Sequence, residues 1–154
     1  MELATHFNSE FNFQFSYPAS WKRTSCDGTT QEGICGHCGG CKSDFFGNDY
    51  LSLHAKRASL EELFNDETEM FKKADNGNIE LAVPMFLGSE NISGKDWTGF
   101  VFSYACSSDE GRFDGVCYEG VVHHDGVSIV LDVGNSVVQK STLEQIMKSI
   151  TFAD

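Results

Sequence analysis

Between residues 11 and 17 the chain reads FNFQFSY, so that Phe11, Phe13, Phe15 and Tyr17 alternate with Asn12, Gln14 and Ser16. Apolar side chains at every second position fall on one face of an extended chain. The pattern predicts a half-buried strand, ended by Pro18 and followed by Trp21 as a plug at the edge of the core. The same period returns in YLSLHAK, residues 50–56, where Leu51, Leu53 and Ala55 share a face and predict a second strand. LGSENISG predicts a short strand with Gly94 near its turn. WTGFVFSYAC, residues 97–106, is apolar on both faces, the mark of a central strand. CYEGVVHH (117–124) and VSIVLDV (127–133) are joined through Asp125-Gly126, the two-residue link of a tight hairpin.

Two stretches follow the helical period instead. In SLEELFNDETEMFKKA, Leu60, Leu63, Phe64, Phe71 and Ala74 form one stripe. Ser59 with Glu62 three residues later makes a capping box, acids crowd the first half, and Lys72 and Lys73 suit the last turn, so one helix is expected as far as Asn76-Gly77. Ser141 and Glu144 open a second capping box over a stripe of Leu143, Ile146, Met147 and Ile150, and ITF adds a last edge strand. The order is strand, long loop, strand, helix, a run of strands, then helix. It predicts an α+β fold in which an antiparallel sheet is flanked by helices.

The whole of residues 1–154 suffices for one domain with a sizeable core, and two prolines leave no Pro-rich linker to divide it. The net charge of −12 repels phosphates and anionic headgroups and so argues against nucleic acid as a partner; it reads first as the solubility of an acidic protein, with a face for a basic partner or for cations as the alternative, and a protein partner is expected. No apolar run reaches the ~20 residues that a membrane span requires. MELATHFNSEF has neither the positive nor the apolar region of a secretion signal. A cytoplasmic location is expected if the chain is complete, and an exported or lipid-anchored one if a signal was removed.

FNFQFSYPASWKR, PMFLGSENISGKDWTGFVFSYA and LEQIMKSITF together resemble the PsbP-like fold family over most of the chain outside residues 22–48. The resemblance implies an α/β/α sandwich used as a binding or accessory module. It offers no catalytic residue to match. The glycine-rich segment at about 22–48 departs from the pattern and reads as a loop inserted between the first two predicted strands.

That segment holds the most concentrated chemistry. Cys35, Cys38 and Cys41 stand three apart in GICGHCGGCK, with Cys26 upstream. Glycines permit the tight turn of a Cys-x-x-Cys knuckle, and four thiolates, or three with His37, satisfy tetrahedral zinc. Binding would order a loop that has little core of its own. The overlapping triplet is not the paired knuckle of a zinc ribbon, so disulfides, an iron–sulfur cluster and free thiols stay open as alternatives. Cys106 and Cys117 flank SSDEGRFDGV between two predicted strands and form a possible disulfide, or pack as reduced, buried cysteines.

Other groups carry less. His123 and His124 are neighbours in a strand and point to opposite faces, so they do not converge. The acids of SSDEGRFDG lack the spacing of a calcium-binding EF-hand loop, and GSENISGKD lacks that of a phosphate loop. No nucleophile–base constellation is visible. The residues therefore favour a non-catalytic binding or accessory domain whose cysteine loop is closed by structural zinc or disulfides. The alternative is a thiol or metal-dependent redox protein using the Cys35–Cys38–Cys41 triplet.

Overall fold

A computed structural model of the protein describes residues 2–21, 23–26, 43–46, 51–64, 71–76, 79–81, 86–106, 115–133 and 138–153. In chain order its elements are β1 (Leu3–Asn8), β2 (Phe13–Pro18), β3 (Arg23–Cys26), β4 (Ser43–Phe46), β5 (Leu51–Arg57) and α1 (Leu60–Phe64). They continue with β6 (Phe71–Lys73), β7 (Ile79–Leu81), β8 (Phe86–Ser93), β9 (Thr98–Cys106), β10 (Gly115–His124), β11 (Val127–Asp132), α2 (Lys140–Lys148) and β12 (Thr151–Phe152).

The long apolar strands build the centre. A seven-stranded antiparallel sheet runs β3-β4-β5-β11-β10-β9-β8, beside a three-stranded sheet β1-β2-β12 and a two-stranded pair β6-β7. In β9, residues 99–102 are all buried, so both faces of this strand are covered, as its sequence requires. The Asp125-Gly126 link closes β10 onto β11 with φ of 45° and 80°. Two successive positive φ values make the mirror-image turn whose twist matches that of the strands, and glycine adopts such a value without strain.

The two faces of the large sheet carry separate clusters. On one, Leu51, Leu53, Val101, Val122, Ile129 and Leu131 pack with Leu143, Ile146 and Met147 of α2 and with Phe13, Phe15 and Tyr17 of β2. On the other, Phe100, Phe102, Val121 and Val130 pack with Leu63 of α1. The protein is thus an α+β fold made mostly of antiparallel sheet, with one face covered by α2 together with the small sheet.

Several expectations need correction. The helix expected to run through Lys72 and Lys73 stops at Phe64 among the described residues, and Phe71–Lys73 is a strand whose Lys72 pairs with Glu80 of β7. Its start is as read: the Glu62 amide donates to Ser59 Oγ at 3.2 Å, and Ser59 faces back to Glu62. The second helix begins one residue before Ser141, with Gln139 at its cap position and no side-chain cap, so the Ser141–Glu144 box does not form. Glu144 instead approaches Lys140 one turn away, and Lys140 bridges to Glu90 of β8 at 2.5 Å, which raises the lysine's pKa. The segment at 22–48 is not wholly a loop, since it contributes β3 and β4. Phe11 belongs to the turn before β2, and β1 is an additional strand.

Candidate functional site

Cysteine chemistry is distributed over two places. The first is the sheet edge formed by β3 and β4. Arg23 pairs with Phe46, Thr24 with Phe45, Ser25 with Asp44 and Cys26 with Ser43, and β4 is tied in turn to β5. The ladder therefore brings the chain positions on either side of residues 27–42 together at one corner of the large sheet. Cys26 is the last residue of β3. Its side chain, and Cys35, His37, Cys38 and Cys41, lie outside the described residues. Among the described residues, no group of three or more His, Cys, Asp or Glu side chains is close enough to hold a metal ion.

The second place is the β9–β10 ladder. Gly115 pairs with Cys106 and Cys117 with Tyr104, which sets the two cysteines diagonally across adjacent strands. Their Cα atoms are 5.8 Å apart and their sulfurs are bonded at 2.06 Å. Cys117 is buried, so the bridge is anchored in the core at one end. It closes the chain around residues 107–114, which lie outside the described residues together with the acids considered above for calcium.

Close to the bridge is a group that the sequence reading overlooked. Tyr104 donates its hydroxyl to Asp132 Oδ1 at 3.2 Å. Glu119 stands opposite Asp132 in the β10–β11 ladder. Burial first, then the charges of Asp132 and Glu119, push the Tyr104 phenol far above its usual range. Burial and the two carboxylates thus favour the neutral, hydrogen-bond-donating form of the phenol. Alternation within each strand does not reveal the group; the register of β9, β10 and β11 puts Tyr104, Glu119 and Asp132 on one face.

His123 and His124 diverge, as neighbours in a strand must. His123 Nδ1 lies 3.1 Å from Ser128 Oγ, and Ser128, fully buried, donates its only hydroxyl hydrogen to the Ala58 carbonyl at 2.8 Å. The serine must then accept from the ring, so His123 carries a hydrogen on Nδ1. Burial and the neighbouring His124 lower the pKa of His123. On the opposite face, His124 Nδ1 donates to the Asp96 carbonyl at 2.5 Å, and its ring stacks on Phe152 at 4.2 Å. Asp96 Oδ2 accepts from the Phe152 amide at 3.1 Å, while its Oδ1 is buried without a hydrogen-bond partner among the described residues. This histidine–aspartate arrangement holds the C-terminal strand. His54 and His6 sit apart, in β5 and β1.

Among the described residues, no helix is long and apolar enough to cross a membrane. No family model matches the chain, and no curated protein sequence does either. Its three-dimensional structure is similar to the solution structure of cyanobacterial PsbP from Synechocystis sp. PCC 6803, with a TM-score of 0.57 and 12% identity, covering 98% of this chain and 92% of that one. At that identity the likeness shows the fold, which is PsbP-like.

Proposed function

We propose that this PsbP-like chain is a non-catalytic binding or accessory domain, whose cysteine-bearing segment is clipped shut at the edge of the large sheet and presented to a protein partner. The observation that carries the reading is the pairing of Cys26 with Ser43. Residues 27–42 leave and rejoin the sheet at adjacent positions, so a clip formed by Cys26, Cys35, Cys38 and Cys41 needs no distant element to close it. Zinc is the closure that suits this donor set best, because glycines separate the cysteines and thiolates are its preferred ligands. The α/β/α sandwich implied by the family resemblance is part of the same proposal.

A second reading is supported by the unusual crowding of thiols, namely a redox protein working through Cys35, Cys38 and Cys41. The two are separated by a measurement on protein purified without reducing agent. The structural clip predicts about one zinc per chain, thiols that alkylate slowly in the native state, and a lower melting temperature when Cys35, Cys38 and Cys41 are changed together to Ser. Absence of metal together with a mass short of six hydrogens replaces zinc by three disulfides. A triple variant with unchanged melting removes the structural role, and fast alkylation in the folded protein moves the assignment to redox chemistry.

The bridge between Cys106 and Cys117 supports an oxidising compartment, and so the exported alternative over the cytoplasmic one.

A further inference from the structure

A sheet end presents unpaired backbone groups, and natural proteins protect such ends with charge, proline, bulges or brevity. Three of the four ends of the two larger sheets follow this rule. β12 has two residues. β8 carries a register shift between Phe86 and Gly88, and Glu90 lies within it. β3 has four residues and begins with Arg23. β1 is different: Leu3–Asn8 is in unbroken register with β2 over its whole length and contains no Asp, Glu, Lys, Arg or Pro. Among the described residues it is the end strand of its sheet.

The hydrogen-bond alternation shows which groups are presented. Antiparallel pairs alternate between those that exchange backbone hydrogen bonds and those that do not. The Ala19 amide donates to the Glu2 carbonyl at 3.0 Å, so the Glu2–Ala19 pair is bonded and the next pair, Leu3–Pro18, is not. Pro18 has no N–H to give. In the same phase, the Ser16 amide turns away from its partner Thr5 and donates to Ser149 Oγ at 2.8 Å. The N–H and C=O groups of Leu3, Thr5 and Phe7 therefore point to the open side of β1. The side chains of Leu3 and Phe7 are 46% and 51% exposed beside them, and Thr5 is exposed as well.

We infer that β1 is a docking edge which takes an extended segment of a partner protein as an added strand, with apolar or β-branched residues at its centre and lysine or arginine at its ends. This rests on the accessory-domain reading and gives it a surface. The charge argument selects the occupant. Glu2 and Glu10, both exposed, flank the strand, and the chain as a whole carries −12. A second copy laid antiparallel on β1 would match Leu3 with Phe7. It would also bring two strongly acidic bodies together. A basic segment gains the same backbone bonds with attraction instead of repulsion.

The test uses a fluorescein-labelled synthetic peptide of alternating Val and Thr with Lys at both ends, its counterpart with Glu at both ends, and the full chain. Fluorescence anisotropy is expected to show the Lys-ended peptide binding at least about tenfold more tightly than the Glu-ended one, with affinity falling as salt rises. Thr5→Pro removes an outward N–H and leaves the β1–β2 bonds in place, since proline is tolerated on the solvent side of an edge strand. Thr5→Lys keeps the N–H but places a like charge before the peptide. Either variant, folded by circular dichroism, should weaken binding about tenfold or more. Unchanged affinity in both variants overturns the proposal, as does equal binding of the two peptides or a wild-type dimer that Thr5→Pro makes monomeric. These outcomes are independent of zinc and thiol content. Failure here with the clip intact removes only the docking edge, and loss of the clip leaves the peptide result standing.

Discussion

Trp97→Phe tests how the C-terminal strand is held. Trp97 is buried, and its Nε1 donates to the Ile150 carbonyl at 3.1 Å within the core. Its ring lies so close to Gly94 that a Cβ there would come within 2.1 Å of Nε1, and the Gly94 amide donates to the Trp97 carbonyl at 3.0 Å. Only glycine leaves room for the ring at that point. Phenylalanine retains much of the apolar contact but has no donor. Leaving the Ile150 carbonyl unpaired costs about 1–3 kcal/mol, and the smaller ring removes about 1 kcal/mol more of burial. A total of about 2–4 kcal/mol in a chain of this length lowers the melting temperature by roughly 5–15 °C. Thermal unfolding followed by circular dichroism reads this directly. Hydrogen exchange adds a local check. The Phe152 amide, bonded to Asp96 Oδ2, should lose protection more than amides of the β10–β11 hairpin. A variant that melts within a degree or two of the wild type, with Phe152 still protected, would refute the reasoning.

Reducing the bridge between Cys106 and Cys117, which are 11 residues apart, should cost about 3 kcal/mol if it acts by restricting the unfolded chain; equal urea midpoints with and without a phosphine reductant would contradict this. Because the pKa of His123 is lowered in the fold, the unfolded chain binds the extra proton first as pH falls. Stability is therefore complete above the unfolded value of about 6.5 and declines as pH drops below it. The urea midpoint should fall modestly between pH 7.5 and about 5.5, and His123→Asn should flatten the fall. A midpoint that rises over that interval would show the opposite sign.

Much of the fold is legible in strands whose alternation reports one covered face. Phe13, Phe15 and Tyr17 in β2, and Leu51 and Leu53 in β5, are buried as their spacing requires. The doubly apolar β9 and the Asp125-Gly126 hairpin are equally plain. The stretch after Ser59 misleads because its capping box forms whereas its continuation does not. Phe71 fits a helical stripe, yet the cross-strand pairing of Lys72 with Glu80 depends on a partner that local spacing cannot reveal. β1 escapes notice for a related reason. It alternates weakly, with Leu3 and Phe7 exposed and Ala4 turned inward, and its identity as a strand comes from the neighbouring β2. Tyr104 and Asp132 meet across β10, two strands apart in the sheet, and only topology joins them.

The two cysteine groups constrain each other through their surroundings. A compartment that sustains the Cys106–Cys117 bridge also favours oxidation of accessible thiols, so a zinc clip must bind its metal strongly enough to keep its thiolates from pairing. In the proposed clip, four thiolates in a closed tetrahedron would do this, because each donates charge to the cation, which lowers its nucleophilicity, and a filled coordination shell restricts access to the sulfurs. An open site with three cysteines would leave one coordination position through which the sulfurs are reached. Cys26 thus decides between the two arrangements. It ends β3 opposite Ser43, at the base of residues 27–42, and in the proposed clip it is the fourth ligand. If the clip and the bridge coexist, Cys26→Ser should release zinc and open the way to a disulfide between two of Cys35, Cys38 and Cys41. A chain that instead carries three disulfides would have Cys26 paired with one of those three.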